Sequence, residues 1–246
     1  MPAGAEEMAV RRQIIVDAAE NLIRRTGAVD FTMAALAKAA GVSLATPYNL
    51  FDAKAAILYA LLNRSMDGID DVGRIANAEA DPFVRVMRSA EAVAQFFTAD
   101  SKFYRVLYRF LLGVDDPVHR PAFMERANHY WACAIAGLDE AGLLLAEVTP
   151  DQLALELLTS FVGATDLWVH GELSDEAFVA RTGYSALLLT YGLAHGRSRA
   201  IIVHLLQERR SSMPEKFSFH LSGDESARLM TGRAATRKGI RTKRPA

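Results

Sequence analysis

Three side chains able to read or hold a nucleic acid fall within four residues of one another: Thr46, Tyr48 and Asn49, in the stretch SLATPYNL that follows Gly41. Asn can bond bidentately to adenine, while the methyls of Thr46 and of Ala45 suit thymine methyls. Tyr48 offers a neutral hydroxyl to a phosphate and Lys54 a point charge. Thr32 and Ser43 are residues of the type that opens a helix, where a hydroxyl and free backbone N–H groups together suit an anion. The stretch is too short and polar to bury itself, yet apolar residues frame it closely, as expected of a segment covered from outside.

The elements around it fit that use. Val10, Ile14, Ala18 and Leu22, with Ile15, Ala19 and Ile23 beside them, recur at helical spacing, and Gly27 can end this helix in a left-handed cap. Thr32 is placed to cap a second helix carrying Met33, Leu36, Ala37 and Ala40, with Phe31 and Leu36 as a staple. Gly41 permits a sharp turn, and Val42 can plug the gap behind it. A short third helix follows, with Leu44, or Leu50 and Phe51, as its apolar anchor. Asp52 reads as the cap of a long fourth helix bearing Ile57, Leu58, Leu61, Leu62, Met66 and Ile69. Two helices joined so tightly cross steeply, and the second can protrude into the major groove of DNA, about 12 Å wide.

Pro47 complicates the third helix, because a proline lacks the N–H that a helix interior needs. Either Thr46 caps a helix that begins at Pro47, or the opening turn from Ser43 is distorted. Residues 1–64 carry seven Lys/Arg against six Asp/Glu, so the few cations must be well placed to hold phosphates.

Residues 10–57 resemble the TetR family of bacterial transcriptional regulators. The resemblance rests on the run FTMAALAKAAGVSLATPYNLFDAKAAIL. In it Thr32, the Ala40-Gly41-Val42-Ser43 turn, Tyr48, Phe51 and Lys54 fall where that family has its cap, turn, recognition-helix tyrosine, aromatic anchor and phosphate-contacting lysine. Pro47 departs from the family pattern, which has an apolar helix former there. The resemblance implies an all-α fold: a three-helix head over residues 8–52 and a helical effector-binding and dimerisation body over residues 53–210. It implies a homodimer through the last long helices, about 150–171 and 175–196. It also implies a pseudo-palindromic double-stranded DNA operator, released by a small apolar effector, with repression as the expected sign.

The body reads as helical in its own right. Asp81-Pro82, Ser101, Thr149-Pro150-Asp151-Gln152 and Ser174 are start signals, and Gly171 is a stop. Its aromatics are denser than one packing seam requires. Phe103, Leu107, Tyr108, Tyr130, Trp131, Phe161, Thr165 and Trp168 are the candidate lining of an effector pocket. Tyr104 and Phe123 belong to the same dense set, and Asn128, His129, Asp166 and His170 are further polar candidates. Periodicity alone does not separate such a lining from a filled core.

Other chemistry finds little support. Asp115, Asp116 and His119 read as loop and cap residues rather than metal ligands, and no metal or cofactor is expected. No G-x-G-x-x-G, Walker or G-x-S-x-G motif occurs, so an all-helical enzyme is disfavoured. The one cysteine, Cys133, lies in an apolar helical pattern and is expected to be buried and inert. A helical interaction module that keeps the fold without binding DNA is the alternative function. Residues 65–206 carry eleven Lys/Arg against nineteen Asp/Glu, and residues 207–246 ten against four, so the body is acidic and 211–246 reads as a basic, disordered tail. With no signal sequence or membrane span evident, a cytoplasmic protein is expected.

Overall fold

The computed structural model describes residues 3–79 and 81–210; the expected basic tail, 211–246, lies outside them. Ten helices follow one another: α1 (Ala3–Thr26), α2 (Met33–Ala40), α3 (Ala45–Phe51), α4 (Lys54–Asn77), α5 (Pro82–Thr98), α6 (Ser101–Leu112), α7 (His119–Ala134), α8 (Pro150–Val169), α9 (Asp175–Leu193) and α10 (Arg197–Arg210). Among the described residues the only extended pairing is an isolated antiparallel bridge between Leu144 and Ala194, and no helix is long and apolar enough to cross a membrane.

The caps carry much of the punctuation. Thr32 accepts from the Ala35 amide at 3.1 Å, Asp81 Oδ1 from those of Phe83 and Val84 at 2.9 and 3.0 Å, and Ser174 from Ala177 at 3.1 Å. Thr149 and Gln152 form a reciprocal capping box behind Pro150. Asp52 does not cap α4, as its type suggests. It sits at φ +48° and closes α3 through its amide on the Tyr48 carbonyl, and the α4 cap position falls to Ala53. The chain reverses between α3 and α4 within two residues, so the left-handed turn takes the position that a side-chain cap would have used.

α1, α2 and α3 form the head, buried on Ile15, Ala19, Ile23, Leu36 and Phe51. Val10 and Ile14, periodic with that stripe, are instead 54% and 41% exposed, because α1 begins before the elements that cover its later turns. In the body α9 packs on α5, α8 and α10, while α4 packs on α5 and α7. Head and body share one compact unit. Arg24 on α1 is paired with Glu20 and with Asp100 ahead of α6, and Arg64 on α4 with Asp17 and Glu20. Three close approaches need glycine: Gly68 faces Phe96, Gly73 faces the Tyr130 ring, and Gly183 faces the Glu91 side chain.

Candidate nucleic-acid interface and ligand cavity

The turn that presents α3 is built from Gly41 at φ +67°, which no other residue type adopts as readily. The Gly41 amide reaches the Lys38 carbonyl at 3.3 Å and the Val42 amide that of Ala37 at 3.0 Å, closing α2. The third helix then starts at Ala45, with Leu44 in the cap position and no side-chain cap bond. Of the two arrangements open for Pro47, neither is adopted as stated. Pro47 is the third helical residue, and the amides of a first turn have no intrahelical partner, so its missing N–H breaks nothing. Its ring is buried and supplies an anchor together with Phe51, whereas Leu44 is 54% exposed and anchors nothing.

The outward face of α3 consists of Ala45, Tyr48 and Asn49, a helical i, i+3, i+4 set. Tyr48 is 49% exposed. Ser43 is exposed as well, but its hydroxyl lies 2.8 Å from that of Thr46, so each satisfies the other and Thr46 is only half-exposed. At the start of α2 the Thr32 hydroxyl is occupied by the Ala35 amide, while the amides of Met33 and Ala34 have no partner among the described residues.

Lys54 sits differently from a free phosphate hook. Its ammonium donates to the carbonyls of Val29 at 2.5 Å and Phe31 at 3.4 Å and lies over the Phe31 and Phe110 rings at 5.2 and 5.1 Å. It thus ties the α1–α2 loop, the start of α4 and α6 to one another. Arg12, Arg25 and Lys38, which the motif reading passed over, are exposed and have no carboxylate partner among the described residues. Arg12 stacks on the Phe51 ring at 5.0 Å. They are exposed cations on the head that the sequence pattern did not single out.

A cavity of about 60 Å³ lies inside the body. Its walls are Tyr59, Leu62, Met66 and Ile69 of α4, Val93 and Phe97 of α5, and Tyr108, Leu111 and Leu112 of α6. α7 adds Arg120, Phe123, Met124, Ala127, Tyr130 and Trp131, and α8 Leu158, Phe161, Val162 and Thr165. Five of the eight pocket candidates are brought together there: Tyr108, Tyr130, Trp131, Phe161 and Thr165. The other three do not line it. Phe103 packs between the Arg24 guanidinium, at 4.4 Å, and the Tyr104 ring, joining head to body. Leu107 is fully buried away from the cavity. Trp168 stacks on Phe178 at 4.9 Å under Arg105 and donates its indole N–H to Asp175 at 2.8 Å, a satisfied core residue.

The polar groups of the cavity are few. Tyr130 donates to the Ser89 carbonyl at 2.6 Å and Thr165 to that of Phe161 at 2.8 Å, so both are used. The Tyr59 hydroxyl is buried without a partner. Its ring stacks on His119 at 6.2 Å, and that imidazole is held by Asp116 at 3.1 Å. Burial pushes the Tyr108 phenol well above its usual range, with Tyr104 and Tyr59 adding to the effect, so it stays protonated. Asp116 also accepts from the amides of Val118 and His119, which is cap chemistry. Burial acts to raise its pKa, but these amides and the imidazole outweigh it and hold the carboxyl below its usual value.

Asn128, His129, Asp166 and His170 do not line the cavity. Cys133, expected to be buried, is exposed on the outer side of α7 with His129 Nε2 at 3.5 Å, because the apolar stripe of α7 runs through Phe123, Tyr130, Trp131 and Ala134 instead.

Residues 15–61 match the model of the bacterial regulatory proteins of the tetR family. No curated protein matches the chain in sequence. Among solved structures, Thermus thermophilus FadR, described as a TetR-family transcriptional repressor in complex with lauroyl-CoA, is 22% identical. The match covers 75% of this chain and 96% of that one at a TM-score of 0.65. A putative TetR-family regulator from Syntrophomonas wolfei is 19% identical over 75% of this chain and 97% of its own, at 0.61. The fatty acid degradation regulator FadR of Bacillus halodurans is 19% identical over 74% and 98%, at 0.58.

Proposed function

We propose that this chain, which belongs to the TetR family of bacterial regulatory proteins, is a ligand-responsive transcriptional regulator that binds a pseudo-palindromic DNA operator as a dimer and releases it when a small apolar effector fills the body. The observation that carries the reading is the outward face of α3, where Ala45, Tyr48 and Asn49 stand free beside the Gly41 turn. Asn49 reads a base edge, and Ala45 lets the backbone come close to it. Tyr48, Ser43, Thr32 and the unpartnered α2 amides hold phosphates, with Arg12, Arg25 and Lys38 supplying positive charge. Thr46 contributes through Ser43, which it orients, and Lys54 by fixing the start of α4 under the head.

Leu155 on α8 and Leu188 and Tyr191 on α9 are exposed apolar side chains at 53%, 46% and 37%, which supports pairing of two copies through these helices. Such a pair sets its two α3 helices one DNA turn apart, about 34–36 Å. By the measure in which a water needs about 10–15 Å³, the cavity holds about four to six waters. A ligand therefore opens its walls, and one of those walls is α4. Repression in the cytoplasm is the mode this arrangement suits, since ligand entry opposes the DNA-bound geometry.

The test is a selection of binding sites from random duplexes with the full-length protein, followed by affinity measurements at two salt concentrations. An enriched palindrome is expected, with affinity falling at least about tenfold between 50 and 200 mM salt. No enriched sequence, or affinity indifferent to salt, would leave a helical interaction module of the same fold as the better reading.

A further inference from the structure

The reading of the cavity as an effector site leaves the chemistry of the effector open, and two side chains narrow it. Arg120, in the first turn of α7, contributes to a wall that is otherwise almost wholly apolar, and its guanidinium has no hydrogen bond or ion pair among the described residues. The neighbouring carboxylate, Asp116, is engaged instead by His119 and by two backbone amides. The second side chain is Tyr59, only 2% exposed and with an unpartnered hydroxyl. The two stand at the same end of the cavity. His119, next to Arg120 in sequence, stacks on the Tyr59 ring, and Phe123, one helical turn further on, packs against it at 6.0 Å.

A buried hydroxyl donor and a half-buried guanidinium with no carboxylate partner both gain from a ligand acceptor, and a carboxylate satisfies the two with charge-assisted bonds. The rest of the cavity dictates the tail. Leu62, Met66, Val93, Phe97, Leu158 and Val162 offer no polar group to a ligand. The free room is small, and the methionines Met66 and Met124 are the walls that repack most easily. A thin unbranched chain enters such a slot with less displacement than a fused ring system.

We propose that the effector is an amphipathic acid, with its anionic head held by Arg120 and Tyr59 and an unbranched apolar tail running between α4, α5, α7 and α8. The proposal rests on the effector-site reading above and adds the charge and shape of the ligand to it.

Titration calorimetry of the full-length protein with dodecanoic acid and with 1-dodecanol separates the two. The acid is expected to bind at least about tenfold more tightly, the ratio associated with one added hydrogen-bonded charge. Arg120→Gln should bring acid and alcohol within about threefold of each other without loss of alcohol binding. Tyr59→Phe should weaken the acid by about two- to tenfold while keeping the preference that Arg120 confers. Equal affinities for acid and alcohol in the wild type, or a preference that survives Arg120→Gln, would overturn the proposal. If the alcohol binds as well as the acid and Ala127→Trp abolishes both, the cavity remains the effector site and only the acid is lost. If neither chain binds, the effector-site reading falls as well.

Discussion

Replacing Gly73 by alanine tests the packing that sets the cavity wall. Gly73 is buried in α4, and a Cβ built on it meets the Tyr130 ring at 2.5 Å from Cε2, 3.2 Å from Cδ2 and 3.4 Å from Cζ. The ring has little freedom to retreat. Its hydroxyl is fixed on the Ser89 carbonyl at 2.6 Å, and its edge meets Trp131 with centroids 5.4 Å apart. Overpacking of this kind costs about 1–3 kcal/mol. Alanine in a helix interior gains about 1 kcal/mol over glycine, so the expected net loss is about 1 kcal/mol. For a chain of this size that lowers the melting temperature by about 2–4 °C.

Shortening Tyr130 to leucine removes the ring carbons that collide. In the Tyr130→Leu background Gly73→Ala should therefore change sign and stabilise by about 0.5–1 kcal/mol. The measurement is urea unfolding followed by far-UV circular dichroism, on four proteins at one fixed protomer concentration. A Gly73→Ala protein more stable than wild type, or a cycle with coupling below about 0.5 kcal/mol, would refute the close approach of α4 to α7. Where the approach holds, the strain of Gly73→Ala falls on Tyr130, a residue of the cavity wall, and the affinity for a chain-shaped ligand should fall as well.

Asn49→Ala should relax preference at a single base step by about 1–3 kcal/mol in a site-selection assay; an unchanged preference refutes the base contact. Lys54→Ala should lower thermal stability by about 1–2 kcal/mol and weaken binding to all duplexes alike, because the ammonium holds the Val29 and Phe31 carbonyls. Weaker DNA binding with no change in melting temperature would return Lys54 to a direct phosphate role. Pro47→Ala should leave the selected operator unchanged and cost less than about 1.5 kcal/mol, since the ring serves as packing and its missing amide had no helical partner. A changed operator would show that Pro47 sets the pose of α3. Burial raises the pKa of Glu91 above its ordinary value despite Arg209 and Arg88 nearby. A folded-state pKa above the unfolded one, about 4.3, means that the wild-type carboxyl favours folding most below that value and loses this contribution as pH rises through the folded pKa. Glu91→Gln should therefore gain stability relative to wild type as pH rises from 4 to 7. A relative loss over that range would show that the Arg209 pair outweighs burial.

The parts of this fold legible in the sequence are those decided locally. Thr32, Asp81, Thr149 and Ser174 make their cap bonds within three residues of themselves, and Gly41 needs only its own φ. Asp52 misleads because the same residue type serves a cap and a left-handed turn, and only the angle between α3 and α4 decides which. Pro47 is ambiguous because a first turn tolerates a proline at several positions. The cavity lies beyond reach in another way. Trp168 and Trp131 have similar apolar neighbours along the chain, yet one faces Asp175 and Phe178 while the other faces the void. That difference depends on the rotation of α7 and α8 against helices distant in sequence. The same holds for Tyr59, Arg120 and Cys133: α4 and α7 are recognisable as helices, but which of their residues meet a void, and which meet solvent, is settled by tertiary packing.

The site and the cavity meet on one element. α4 has 24 residues, about 36 Å of helix, and carries Lys54 under the head and Tyr59, Leu62, Met66 and Ile69 along the cavity. Lys54 to Leu62 spans about 12 Å, so a tilt of about 5° about Leu62 moves the head end by about 1 Å. The head cannot absorb that movement by slack at this junction, because Lys54 is bonded to the α1–α2 loop and Arg64 to Asp17 and Glu20 of α1. In the regulator proposed above, a ligand that widens the space between α4 and α7 displaces α1 to α3 with it. It shifts the DNA equilibrium only by the difference in its affinity for the two positions of α4. On the proposal above, that difference resides in the contacts of the ligand with the Arg120 guanidinium, the Tyr59 hydroxyl and the apolar faces between the helices.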